Sequence, residues 1–139
     1  MKKRITTAAA ILSSAIITGF VTATPASAYT LQAYCTTTGA GGGLTVPNFY
    51  GATDHIEADM SIYDSLADGH EVKIRLLTKT ATNTTHYWAW HGNYGGQGTT
   101  QDINTTAKDD SGIFNAGIQV ARFEGGTLLN SCTKWTVNG

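Results

Sequence analysis

After residue 28 the sequence has no second long hydrophobic run, no lipidation motif and no sorting tail, which disfavours membrane insertion. Basic residues are scarce, with nine Lys and Arg against ten Asp and Glu in 139 residues, and three of the nine fall within the first four positions. Nucleic acid and anionic membrane surfaces are therefore poor partners, because both are bound by Lys and Arg neutralising phosphate. The four histidines, His55, His70, His86 and His91, form no HExxH or comparable spacing, and no EF-hand loop is present. The sequence thus implies neither a metal nor a cofactor. There is no GxSxG and no ordered Ser/His/Asp set, so no residue is assigned a catalytic role. Helical periodicity is also missing from residue 29 onward.

What is present begins with Lys2, Lys3 and Arg4, an apolar stretch from Ala8 to Val21, and Ala26-Ser27-Ala28. This is the pattern of a signal peptide spanning residues 1–28, with cleavage expected after Ala28. The apolar stretch contains Ser and Thr and falls short of the roughly 20 residues that span a bilayer. A secreted, extracellular protein is expected, with residues 29–139 forming one acidic domain. Its two cysteines, Cys35 and Cys132, lack a CxxC spacing, and in an oxidising compartment they are expected to form one disulfide. A bridge enclosing a loop of nearly 100 residues is worth about 4.7 kcal/mol in the chain-entropy model.

Apolar residues recur with period two. Ile56, Ala58, Met60 and Ile62 alternate with polar neighbours, as do Val72, Ile74 and Leu76, so residues 55–64 and 70–79 are predicted to pair as an antiparallel hairpin. Further strands are predicted over 85–91, 99–106, 114–121 and 127–137, with turns at 81–84, 108–112 and 124–126. The glycine-rich segment 91–98 is predicted to be an exposed loop or bulge. Five to seven short strands define an all-β fold, a small antiparallel β-sandwich with one disulfide, with a compact β-barrel as the alternative. Residues 29–47 read differently. Thr36 to Gly43 is nearly devoid of apolar side chains, which gives either a first strand followed by a mobile loop, or an extended N-terminal arm and Gly-rich linker.

Two groups are candidates for recognition. Strand alternation over His86-Tyr87-Trp88-Ala89-Trp90-His91 places His86, Trp88 and Trp90 on one face, a platform for sugar rings, with Asn93 and Tyr94 supplying polar contacts from the adjoining loop. The alternative use of the tryptophans is to fill the core. The second group is Tyr29, Leu31 and Tyr34, the arm that would add a strand to a partner protein. The carboxylates Asp54, Glu57, Asp59, Asp109 and Asp110 raise calcium binding or glycoside hydrolysis as further options, although turn chemistry accounts for Asp109 to Gly112.

The single end-to-end cysteine pair, the Trp88-Ala89-Trp90-His91 strand and the closing Asn130-Ser131-Cys132-Thr133-Lys134-Trp135 resemble small secreted single-disulfide β-proteins of actinobacteria. The layout is also similar to the adaptor subunit of umbrella toxin particles, whose extended N-terminal segment joins a larger subunit. That resemblance implies Tyr29 to Phe49 as a joining segment. The expected function is a non-catalytic extracellular binding or interaction module, an adaptor in a secreted complex being one form. Its partner is another secreted or cell-surface protein, or a surface glycan. A carbohydrate-binding module and a small secreted hydrolase are the alternatives.

Overall fold

The structure, a computed structural model, describes residues 26–137; the signal peptide expected over 1–28 lies outside this range except for Ala26 to Ala28, which are exposed. The chain runs through nine strands: β1 (Tyr29–Thr37), β2 (Ala40–Phe49), β3 (Thr53–Asp64), β4 (Glu71–Lys79), β5 (Thr85–Tyr87), β6 (His91–Asn93), β7 (Thr100–Ile113), β8 (Asn115–Glu124) and β9 (Thr127–Trp135). One antiparallel sheet has the order β1-β2-β3-β7. The second has the order β5-β4-β8-β9, with β6 also paired to β4. The two sheets face one another as a β-sandwich, and no helix occurs among the described residues.

The period-two pattern sets which side of each strand turns inward. Ile56, Ala58, Met60 and Ile62 of β3 face Val72, Ile74 and Leu76 of β4 and Ala116, Ile118 and Val120 of β8 within one core. Leu31, Ala33 and Cys35 of β1, Ala40, Leu44, Val46 and Phe49 of β2, and Ala107 and Ile113 of β7 complete it. The predicted β8–β9 hairpin is present, with Glu124 opposite Thr127. Gly125 and Gly126 take positive φ at its turn, where residues with a Cβ are strained.

Three local expectations are corrected. Strands β3 and β4 both exist but do not pair; β3 bonds to β2 and β7, while β4 bonds to β5, β6 and β8. Their apolar faces meet across the core, so the segment between them crosses from one sheet to the other. Alternation looks the same for a hairpin and a crossing, since it reports only which face is buried. The turn expected at 108–112 is absorbed into β7, which continues to Ile113. There Asp109 accepts a hydrogen bond from the Ser111 amide (2.9 Å), and Phe114, whose N–H donates to Lys79 O at 2.7 Å, carries the chain into the other sheet.

The third correction concerns the glycine run. Residues 29–49 form the β1–β2 hairpin, and Gly41 to Gly43 lie inside β2, not in a linker. A Cβ on Gly42 would stand 2.6 Å from Val120 Cγ2 and 2.8 Å from Ile74 Cδ1. Glycine here lets the opposite sheet approach closely, one of the reasons it occurs within strands.

The Cys35–Cys132 disulfide joins β1 to β9, the edge strands on one side of the sandwich, with Cα atoms 6.1 Å apart. Nearby, Asn130 Nδ2 donates to Thr37 Oγ1 (2.7 Å) and Thr38 O (2.8 Å). Arg122 donates to Asn130 Oδ1 (3.1 Å) and to Asp68 Oδ2 (2.6 Å). One polar network therefore ties the β1–β2 turn, the β3–β4 crossing and the β8–β9 hairpin together.

His70 gives this network a pH dependence. Its Nδ1 is 3.0 Å from Asp68 Oδ2, off the line of a well-aligned hydrogen bond, and its Nε2 is 3.5 Å from Glu124 Oε2. The Asp68 carboxylate raises the His70 pKa above the ordinary 6.5. The imidazole and the His70 amide hold Asp68 below the ordinary 3.8. The His70 contribution is complete below about pH 6.5 and is lost as pH rises through the raised folded value. The Asp68 contribution is complete above about pH 3.8 and is lost as pH falls through the depressed one. The thermal midpoint is expected to be highest between these limits. In His70→Gln the fall on the alkaline side should flatten; an unchanged fall in a melting series from pH 5 to 9 would show that His70 does not cause it.

Candidate functional site

The structure distributes the aromatic cluster over two sides of its sheet. Tyr87 pairs with Leu77 and His91 with Ile74, so Trp88, Ala89 and Trp90 stand opposite only Arg75 and Leu76. The extra residue is a bulge, which reverses the alternation. Trp88 packs against the core, and its Nε1 donates to Thr78 Oγ1 at 3.0 Å. His86 stacks on it at 4.3 Å and also approaches Asp109 of β7 at 3.5 Å. The Ser111 amide, then the His86 contact, hold the Asp109 pKa below its ordinary value. Trp90 turns outward and meets Phe123 edge to face at 5.3 Å.

Asn93 is buried. Its Nδ2 donates to Thr99 O (2.8 Å) and Ile62 O (3.3 Å), and its Oδ1 accepts from the Gly95 amide (2.9 Å) and Thr99 Oγ1 (3.1 Å). With its amide fully committed, Asn93 anchors the loop that follows it. Tyr94 is exposed and lies against Gly92. Thus His86 and Trp88 are together, Trp90 and Tyr94 lie elsewhere, and Asn93 is a loop anchor.

On the outer side of the β4–β8 sheet, the aromatics already hold the protein's own cations. The Arg75 guanidinium sits 4.5 Å from the Tyr87 ring centre and 4.4 Å from that of Trp90. Gln119 Oε1 accepts from its Nε (2.9 Å) and terminal nitrogen (2.6 Å), and burial lowers its pKa. Lys73 lies over Phe123 and pairs with Glu71, while Lys79 lies over Trp135. Trp135 itself covers Gly117. Leu77 and Ala121 are buried although they point to this side. The face is a covering layer with its cation–π positions filled.

The outer side of the β1-β2-β3-β7 sheet is the reverse. Strand register aligns two rungs across all four strands: Gln32, Thr45, Asp59 and Asn104, then Tyr34, Gly43, Ser61 and Asp102. They line a groove of about 770 Å³, bordered on its β1 side by Lys134, Trp135 and Val137. Tyr34 is 68% exposed. Its hydroxyl is 3.2 Å from where a Gly41 Cβ would stand, and its Cδ2 is 3.8 Å from that of Gly43. The ring therefore lies along a bare backbone strip, with its remaining surface open to solvent. The polar side chains beside it make no hydrogen bond to other described residues; Asp102 contributes only its carbonyl, to Gln101.

This floor offers carboxylate acceptors, two amides that donate and accept, and two hydroxyls beside an aromatic ring. Among the described residues no cluster of three or more His, Cys, Asp and Glu is arranged to hold a metal. Asp59 and Asp102 are exposed, without the apolar enclosure that shapes a general acid. Of the arm residues, Leu31 is core and Tyr29 packs edge to face on Phe49 at 5.5 Å. Only Tyr34 reaches the groove. Gln32, Thr45, Ser61, Asp102 and Asn104 were not singled out from the sequence; their signal was the polar half of the same alternation that marked the core.

No protein-family model, no curated protein and no solved structure matches the chain. The chemistry of the surfaces alone therefore carries the functional reading.

Proposed function

We propose that this protein is an extracellular, non-catalytic binding module that takes carbohydrate on the outer groove of the β1-β2-β3-β7 sheet. The observation that carries this reading is the Tyr34 ring, held along the Gly41–Gly43 strip and left open beside uncommitted hydroxyl, amide and carboxylate groups. A pyranose has an apolar face suited to an aromatic ring and a hydroxyl rim suited to such polar groups. The partner is a surface glycan, free or carried by a secreted or cell-surface protein. The disulfide fits an oxidising compartment, and no described helix is long and apolar enough to cross a membrane.

The test is retention on insoluble polysaccharides. Tyr34→Ala should weaken binding about tenfold or more, equivalent to about 1.4 kcal/mol or above. Its thermal midpoint should barely move, because exposed substitutions typically stay within about 0.5 kcal/mol. Trp90→Ala should do the opposite, lowering stability while retaining binding. Undiminished retention by Tyr34→Ala would remove the basis of the proposal, and release of new reducing ends would replace binding by hydrolysis.

A joining role for the N-terminal segment has less support. Tyr29 to Thr37 is committed to the β1–β2 hairpin and to the disulfide, leaving the free edge of β1 as its remaining route to a partner.

A further inference from the structure

We infer that the groove selects a linear, amine-bearing glycan of the polyglucosamine class. This inference rests on the carbohydrate reading above and specifies the ligand of the same groove. The two rungs run across the strands. Four strands about 4.8 Å apart span about 14 Å, room for roughly three pyranose units. Strand β7 is an edge strand, so nothing in the sheet stops a chain from continuing past it. The groove is therefore open at its β7 end and bordered by Lys134, Trp135 and Val137 at its β1 end.

The charge class follows from what the rungs carry. Asp59 lies on β3, one of the two inner strands of the groove floor, and Asp102 lies on the neighbouring rung. Glu57 extends the acidic row, being paired with Thr106 where the groove continues along β3 and β7. Neither Asp59 nor Asp102 forms a salt bridge among the described residues, whereas Asp54, Asp68, Asp109 and Asp110 each do. The cations nearest the floor are peripheral: Lys134 at the β1 border, and Lys108 opposite His55 toward one end of the strands. Uronate or sulfate groups placed on the rungs would meet like charge. An ammonium group would meet unpaired carboxylates while the sugar ring rests on Tyr34, and this pairing of stacking with charge separates a glycan from a plain polycation.

The measurement is calorimetric titration at pH about 5.5, where the probes' amines are protonated. The probes are glucosamine hexamer, its fully N-acetylated counterpart, a galacturonate hexamer and tetralysine. The glucosamine hexamer should bind at least about tenfold more tightly than its N-acetylated form, with affinity falling as salt rises. Asp59→Asn/Asp102→Asn should bring the ratio close to one, and Tyr34→Ala should weaken both sugars. Equal, Tyr34-dependent binding of the amine and N-acetyl hexamers would overturn the charge assignment and leave the carbohydrate reading standing. Tetralysine binding as tightly as the glucosamine hexamer would also overturn it. No Tyr34-dependent binding of any sugar would overturn both.

Discussion

Replacing Cys35 and Cys132 by Ser is expected to lower stability by about 4.7 kcal/mol, the chain-entropy value for a bridge whose cysteines are 97 residues apart. Domains of this size have a total stability of about 5–15 kcal/mol, so the loss is a large fraction of the whole. At about 4–8 °C per kcal/mol for domains of up to roughly 100 residues, the thermal midpoint should fall by about 20 °C or more. Topology adds a local reason. The bridge joins β1 and β9, each hydrogen-bonded to only one neighbouring strand. Without it, that side of the sandwich is held by contacts between the sheets and by Asn130 bonding to Thr37 and Thr38. Since β1 carries Tyr34, fraying there should reduce ligand binding before global unfolding. A double Ser variant melting within about 5 °C of the parent would mean that loop entropy is not what the bridge contributes.

Gly42→Val is expected to cost about 3 kcal/mol, the upper end of ordinary overpacking. Its first added carbon would stand 2.6 Å from Val120 Cγ2, 2.8 Å from Ile74 Cδ1 and 3.0 Å from the Ser61 carbonyl oxygen. Val120 and Ile74 are themselves fully buried and have nowhere to retreat. The sheets would have to separate, weakening the packing that aligns both rungs of the groove. Gly41 is the informative control, because it points to the other side of β2. A Cβ there meets the Tyr34 hydroxyl at 3.2 Å and Thr36 Cγ2 at 3.4 Å. Gly41→Ala should therefore displace the Tyr34 ring and weaken binding with little effect on the urea midpoint. If the two glycines responded alike in urea, the inward and outward assignment of β2 would be wrong.

This glycine run shows how far the sequence could be read. Burial follows from alternation, so the inward residues of β3, β4 and β8 were legible along with the sandwich and its disulfide. The β8–β9 pairing was legible from its Gly125-Gly126 turn, but the partners of β3 and β4 were not, because Ile56 to Ile62 and Val72 to Leu76 alternate identically whether their strands are neighbours or face each other across the core. Composition suggested that Gly41 to Gly43 were flexible, when Gly42 is needed for close sheet packing and its neighbours make room for Tyr34. The bulge at Trp88–Trp90 was hidden for a related reason. A single extra residue opposite Arg75 and Leu76 has no compositional mark, yet it sends Trp88 to the core and Trp90 to Arg75. The groove drew on positions that look merely polar in sequence, and only the register of four strands aligns Gln32, Thr45, Asp59 and Asn104.

The location of recognition is the central claim, and amide chemical-shift mapping during titration with glucosamine hexamer tests it most directly. The largest shifts should fall on Gln32, Tyr34, Gly43, Ser61, Asp102 and Asn104, with little change at Tyr87, Trp90 or Tyr94. Shifts concentrated on Tyr87, Trp90 and Tyr94, with the β1-β2-β3-β7 groove silent, would contradict it.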